Sequence, residues 1–143
     1  RYMSVSLPLE KIKVTSPYGM RNDPFTGKKK MHYGLDLRAD RSEVYAMMHG
    51  IVEKAGQDRV SGKHVTVRHW EFSVSYCHLS ECHVKRGDCV KPGDVVGKSG
   101  STGRSTSPHL HLAVRMGRRH INPEILLQFI GETRRQALEK LSE

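Results

Sequence analysis

The chain has 143 residues, the usual size of a single domain and long enough to bury a core without the help of disulfide bonds. Only 36% of the residues are hydrophobic, and no run approaches the roughly 18 apolar residues that a membrane span requires. Lysine and arginine total 24 against 15 acidic residues, a formal charge of +9 that favours a polyanionic partner such as nucleic acid, anionic membrane or cell wall. We therefore expect one globular domain without a membrane-spanning helix.

Short β-type runs alternate with turn residues from about residue 13 to residue 121, which favours an antiparallel β-sandwich or barrel. The predicted strands are residues 51–54, 64–69, 73–78, 95–98 and 110–115. After Asn122-Pro123 the apolar residues recur at helical spacing through Leu141, which predicts one helix, or two short helices broken at Gly131. We expect this tail to pack on the sheet edge or to lead away from it.

The three cysteines, Cys77, Cys82 and Cys89, contain no Cys-x-x-Cys pair. A disulfide framework is therefore not expected, although Cys82 and Cys89 remain able to pair. The same cysteines with His83 offer a Cys₃His structural zinc site, but their irregular spacing disfavours it. Single idle thiols are the favoured interpretation.

Nine histidines are many for this length, and three places combine histidine with other chemistry. His32 and Asp36 are four residues apart in a segment where Gly34 argues against a helix. In His109-Leu110-His111, strand alternation places both imidazoles on one face. His78 ends a predicted strand.

Two imidazoles and one carboxylate make a three-ligand zinc set that leaves a fourth position open, as in catalytic sites. Each motif alone is a weak indication, since composition gives roughly 0.4 His-x-x-x-Asp matches by chance. His49 and Glu53 have the same spacing but cross a turn at Gly50, which favours a structural role. A phosphate-binding loop ending at Gly97-Lys98-Ser99 is excluded, because Pro92 stands where that motif requires glycine.

A longer series of motifs resembles the lysostaphin/LytM-type M23 metallopeptidases, in the same order along the chain. The resemblance covers roughly residues 11 to 126. Its segments are Thr15-Ser16-Pro17-Tyr18-Gly19-Met20-Arg21, His32-x-x-x-Asp36, Tyr76-Cys77-His78-Leu79-Ser80, residues 90–97, residues 100–111 and Ile121-Asn122-Pro123. The segment 69–73 is shorter than the usual hairpin of that family, and Cys77 stands where another small or apolar residue is common, so substrate preference is the property most open to change.

The resemblance implies that His32, Asp36 and His111 bind Zn²⁺, while His78 and His109 face the metal without binding it. It also implies a mainly β fold, an antiparallel sandwich with a groove across the sheet and a C-terminal helical tail. The peptidase domain would then span residues 1–126, and residues 127–143 would form a helical extension. The run from Gly100 to Pro108 is expected to be a loop that positions His109, or a plain connecting turn.

The function implied by the resemblance is zinc-dependent hydrolysis of peptide bonds in bacterial peptidoglycan, in cross-link or stem peptides. Zinc would activate water, and the pair His78 and His109 would provide proton transfer and transition-state stabilisation, in an order that the sequence leaves open. The alternative is a catalytically silent LytM-type module that activates another wall hydrolase. Silent versions are expected to lack ligands, whereas all five residues are present here.

A nucleic-acid binder is the third possibility, but the sequence has no recognisable nucleic-acid motif or aromatic stacking platform. We therefore expect a peptidoglycan peptide as the partner, no nucleic acid, and a monomer. The substrate implies an extracytoplasmic location, in the periplasm, the cell envelope or the medium. Because the chain begins at Arg1 without a signal segment, we expect an upstream signal or anchor in a longer product.

Overall fold

The computed structural model describes residues 5–105 and 107–142, which form β-strands followed by a C-terminal α-helix. The elements are β1 (Val14–Ser16), β2 (Gly19–Asn22), β3 (Lys29–His32), β4 (Leu35–Leu37), β5 (Glu43–Tyr45), β6 (Gly50–Asp58), β7 (Gly62–His69), β8 (Phe72–Cys82), β9 (Cys89–Val90), β10 (Val95–Ser99), β11 (Leu110–Met116), β12 (Arg119–Ile121) and α1 (Pro123–Leu141). Each of the five predicted strands lies within an observed strand.

The main sheet is antiparallel, with strand order β1-β4-β11-β8-β7-β6-β9. Strand β12 pairs with β11, and β10 pairs with both β5 and the second half of β8. Strands β2 and β3 form a separate hairpin. The long β8 therefore pairs with β11 through its first half, with β10 through its second half, and with β7 on both sides of an irregularity in the register.

Side-chain alternation gives the main sheet one apolar face and one polar face. The apolar face is fully buried at Val65, Val67, Val74, Tyr76 and Val114. Val44 from β5 and Val96 from β10 belong to the same core, so these strands cover the apolar face of the sheet. The prediction of a mainly β, antiparallel sandwich with a C-terminal helix is confirmed.

The tail forms one helix rather than two, and it runs through Gly131 without a break. Asn122 caps its first turn, because its side-chain oxygen accepts a hydrogen bond of 3.0 Å from the Glu124 backbone nitrogen. Leu126, Leu127 and Ile130 are buried in the core. The helix crosses the expected boundary at residue 126, and the division of the chain at that point stays a prediction.

Two smaller features concern the cysteines and the helix. Cys77, Cys82 and Cys89 are all free thiols, so the Cys82–Cys89 pair does not form. Within the described part of the chain, no helix combines the length and the apolar character needed to cross a membrane.

Candidate metal centre

The pairing of β4 with β11 brings the first predicted ligands together. Asp36 lies directly opposite His111 in the register, and the His111 Nδ1 atom is 2.8 Å from Asp36 Oδ1. His32, at the end of β3, places its Nε2 atom 3.3 Å from the same oxygen. One possible ligand atom from each residue lies within 4.8 Å of the other two. The three residues predicted as ligands therefore converge on one point.

The orientation of His32 fits a metal ligand. Its Nδ1 atom lies 2.8 Å from the Pro17 carbonyl oxygen, and a carbonyl only accepts hydrogen bonds, so the neutral ring is protonated at Nδ1. Its Nε2 atom then presents a lone pair toward Asp36, and it is buried with no hydrogen-bond partner among the described residues. A lone pair and a carboxylate facing each other at short range are stabilised by a cation between them. Two imidazoles and a carboxylate are a donor set that zinc prefers.

Arg21 holds the second oxygen of Asp36. Its Nη1 atom is 3.4 Å from Asp36 Oδ2 and donates to Ser16 Oγ at 2.7 Å. Burial alone raises the pKa of Asp36, but its hydrogen bond with His111 and the neighbouring imidazoles outweigh burial and hold that pKa well below its usual range. The carboxylate is therefore ionised, with Oδ1 directed to the histidines. Arg21 belongs to the segment 15–21 that resembles the family, but nothing in that segment predicts the contact of Arg21 with Asp36.

His78 reaches the site through a bulge in β8. Lys63 pairs with Leu79 and Val65 with Tyr76, so two residues of β8 lie opposite the single His64 of β7. His78 takes a φ of 62°, a left-handed conformation that is strained for a residue with a side chain. Its backbone nitrogen donates to the Ser61 carbonyl oxygen at 2.8 Å. The bulge and this backbone conformation together direct the imidazole toward the proposed ligands, whereas regular alternation would direct it to the opposite face of the sheet.

Hydrogen bonds fix the ring of His78. Its Nδ1 atom donates to the Thr102 carbonyl oxygen at 2.6 Å, which leaves Nε2 as an acceptor in the neutral ring. Thr102 is itself held, because its hydroxyl donates to the Leu79 carbonyl oxygen at 2.6 Å and accepts from the Lys63 backbone nitrogen at 2.9 Å. Burial and the neighbouring imidazoles lower the pKa of His78 to about 4. The ring is therefore neutral at physiological pH.

His109 faces His78 across the site. The Gly100–His109 bridge closes the preceding loop, and the His109 Nδ1 atom lies 2.8 Å from the Ser107 carbonyl oxygen and 3.3 Å from Ser105 Oγ. Its Nε2 atom is 3.5 Å from Asp36 Oδ1. The ring centroids of His78 and His109 are 5.0 Å apart. All five predicted site residues therefore lie in one cluster, and the loop before His109 contacts its ring through Ser105 and Ser107.

The close packing of this cluster requires glycine at position 34. A Cβ atom there would lie 2.4 Å from Cε1 and 2.5 Å from Nε2 of His111. Any side chain at this position would have to displace the imidazole, and it would also meet the Leu112 carbonyl oxygen at 2.9 Å. Gly34 therefore fixes the distance between the segment of His32 and the ring of His111.

The cluster lies at the bottom of a groove of about 640 Å³ on the polar face of the sheet. The groove is lined by the β2–β3 hairpin with the half-exposed Phe25, by the turn after β6 and by the loop before His109, whose Arg104 guanidinium lies over the Phe25 ring at 4.4 Å. The ring of Tyr33 packs against His120 at a centroid distance of 4.9 Å and lines the groove beside the ligands. The space and its openness suit an extended peptide.

The other sequence candidates do not join the site as metal ligands. Within residues 5–105 and 107–142, the clusters able to hold an ion contain neither a cysteine nor the pair His49 and Glu53. Cys77 lines the floor of the groove, beside His111 in the register. Burial raises the pKa of the Cys77 thiol to about 12. This thiol is therefore an uncharged part of the groove floor.

Comparison with known proteins shows the family to which the chain belongs. The model of Peptidase family M23 matches residues 30–123. Peptidoglycan DD-endopeptidase ShyC of Vibrio cholerae is 37% identical over 119 residues, an alignment that covers 81% of this chain and 28% of ShyC. The chain thus spans between a quarter and a third of that relative.

Two solved structures share the fold. A zinc-containing peptidase from Vibrio cholerae has a TM-score of 0.77 and 29% identity, covering 85% of this chain and 39% of that one. The catalytic domain of lysostaphin from Staphylococcus simulans has a TM-score of 0.75 and 32% identity, covering 82% of this chain and 92% of that domain. The family model alone spans more than half of the 143 residues. The chain belongs to peptidase family M23.

Proposed function

We propose that this chain is a zinc-dependent endopeptidase that hydrolyses peptide bonds in bacterial peptidoglycan, in cross-link or stem peptides. Its family and its relatives support peptidoglycan as the substrate. The observation that most favours an active enzyme is the convergence of His32, Asp36 and His111 with two further histidines in one open groove. A catalytically silent module would have no need of all five.

The three ligands proposed for zinc are His32 through Nε2, Asp36 through Oδ1 and His111 through Nδ1. When bound, zinc supplies Lewis acidity to water and to the peptide carbonyl. The carboxylate of Asp36 offsets part of the ion's charge. Arg21 pairs with the other carboxylate oxygen, Oδ2, which leaves Oδ1 for the metal. The Pro17 carbonyl orients the His32 ring in the way that outer partners orient metal-binding imidazoles.

We assign proton handling to His78 and His109. Each ring has its Nδ1 atom against a backbone carbonyl oxygen, so each presents Nε2 as the free acceptor on the groove side. One of them takes a proton from the attacking water at Nε2 and returns it to the leaving amine. The other stabilises the developing negative charge in its protonated form, in which Nε2 also carries a proton and donates a hydrogen bond. The lowered pKa of His78 keeps that ring neutral and able to accept.

The activity is tested with purified peptidoglycan sacculi incubated with the zinc-loaded chain. We expect soluble peptide fragments whose masses identify the bond that is cut. His109→Ala with its metal retained is the matched control and should release none. Fragments from neither protein, with zinc bound in both, would instead support a silent binding module that acts through another hydrolase.

The substrate also sets the proposed location. Peptidoglycan lies outside the cytoplasmic membrane, so we infer that the chain works in the periplasm, in the envelope or as a secreted protein. Its charge of +9 favours retention on anionic wall polymers.

A further inference from the structure

The groove continues past the histidines along the strands of the main sheet. Next to the metal centre, Thr66, Ser75 and Ala113 lie side by side in the register of β7, β8 and β11. Because these side chains are small, they do not obstruct the groove. The hydroxyl groups of Thr66 and Ser75 hydrogen-bond to each other at 2.8 Å. The floor therefore leads from the proposed cleavage site to the other end of the sheet.

The next row on the same face is basic. Arg68 and Arg115 both pair with Ser73, one from each neighbouring strand, so their backbones are about two strand spacings, or roughly 10 Å, apart. Arg115 is four residues from His111 along β11, a distance of about 13 Å. Both arginines line a second hollow of about 650 Å³ that shares Lys54, Thr66, Ser75 and Arg115 with the groove.

Within the described residues, no ion pair neutralises the positive charge of this row. Arg68 donates from Nε to the Trp70 carbonyl oxygen at 3.2 Å, and in the described residues Arg68 and Arg115 take part in no ion pair. Glu53 and Glu71 also line this hollow, and neither forms an ion pair with the arginines. Lys54 adds a third cation beside Thr66. The guanidinium groups are thus free to bind an anion.

We propose that Arg68 and Arg115 bind a free carboxylate of the peptide substrate, roughly four residues from the bond that is cut. Guanidinium groups match a carboxylate with paired hydrogen bonds, and an extended peptide of four residues covers the same 13 Å or so. This proposal rests on the proposed function. Binding of a carboxylate by these arginines makes the chain prefer stem peptides, which carry free carboxylates, over uncharged bridges such as polyglycine.

Binding tests this proposal without any need for cleavage. Trp70 is the single tryptophan, is 87% exposed and lies at this end of the groove, so its fluorescence reports a ligand there. Two synthetic cross-linked stem peptides, identical except that the free carboxylates of one are amidated, are titrated into the catalytically inactive His109→Ala chain. We expect the carboxylate peptide to bind about fivefold more tightly, as for two exposed charge pairs.

Variants assign that difference to the two arginines. In a His109→Ala chain that also has Arg68→Gln and Arg115→Gln, the two peptides should bind equally, while Arg118→Gln, which removes a charge outside the groove, should keep the preference. Equal binding of both peptides to the parent chain, or a preference that survives the double arginine change, would overturn the proposal. Failure of the active chain to cleave either peptide would contradict the proposed function and leave this comparison of affinities intact.

Discussion

His32 Nε2 and Asp36 Oδ1 face each other at 3.3 Å, and the imidazole nitrogen is buried without a hydrogen-bond partner among the described residues. The other ring nitrogen, Nδ1, donates a hydrogen bond to the Pro17 carbonyl oxygen. Two electron-rich atoms are therefore held together by the fold in a geometry that a divalent cation stabilises.

The purified chain should bind about one zinc ion, and Asp36→Ala or His111→Ala should abolish tight binding because each removes one of three ligands. Zinc at 100 times its dissociation constant should stabilise the native chain by about 2.7 kcal/mol. Metal analysis and thermal unfolding with and without a chelator measure both effects. His83→Ala, which removes a surface histidine paired with Glu81, is the control and should bind zinc normally.

His109→Ala and His78→Ala should keep the metal and lose hydrolysis of sacculi. Each removes a proton-handling group, and such groups contribute about 10²- to 10⁴-fold to rate. Fragment release and metal content are measured on the same preparations. Full activity of either variant would show that the role assigned to that histidine is wrong.

Gly34→Ala should weaken zinc binding although residue 34 is not a ligand. The new methyl group would overlap the His111 ring and turn its Nδ1 atom away from Asp36. We expect zinc affinity to fall by about 10- to 100-fold, the range seen when the support of a ligand is lost. Competition with a chromogenic chelator measures it. Gly56→Ala, where a Cβ meets no atom within 4 Å, should leave the affinity unchanged.

The metal-free chain should lose stability in mildly acidic solution, in part through His69. This ring is buried far from the ligands, its Nδ1 atom bonds the His49 carbonyl oxygen, and its Nε2 atom has no partner among the described residues. Burial lowers its pKa below the ordinary 6.5. As the pH falls, the unfolded chain therefore binds a proton at this histidine before the folded chain does. The contribution of His69 to the free energy of unfolding is complete above about pH 6.5 and declines as the pH falls toward the lowered pKa.

Urea unfolding at several pH values, with chelator present, measures this effect. His69→Gln keeps a side-chain donor and cannot titrate, so its free energy of unfolding should depend less on pH between pH 7 and pH 5 than that of the parent chain. An identical pH dependence of the two proteins would show that His69 is not responsible.

Sequence patterns predicted the elements with clear alternation. Strands β7, β8 and β11 have apolar residues at every second position, as in Val65 and Val67, because one face of each is buried. Short strands such as β1 and β2 were not predicted, since three or four mixed residues hold no period. Gly131 leaves open whether the tail is one helix or two, because a glycine destabilises a helix by only about 1 kcal/mol. The residues on either side favour the helix strongly enough that it continues through Gly131.

The site residues followed from a resemblance, but their supports did not. The carbonyl groups of Pro17 and Thr102 fix two imidazoles, and any residue type has a carbonyl group. The bulge that turns His78 inward depends on the pairing of β7 with β8, which is a property of the register and not of the local sequence. Arg21 of β2 and Asp36 of β4 are 15 residues apart in the sequence, and only the tertiary structure brings them together.

Anomalous diffraction at the zinc edge, on crystals of the zinc-loaded chain, tests the central claim most directly. We predict one strong peak that lies about 2.0–2.2 Å from His32 Nε2, Asp36 Oδ1 and His111 Nδ1, with a fourth side open to the groove. A peak at other residues, or a peak whose shell includes a cysteine in place of any of these three, would contradict the account.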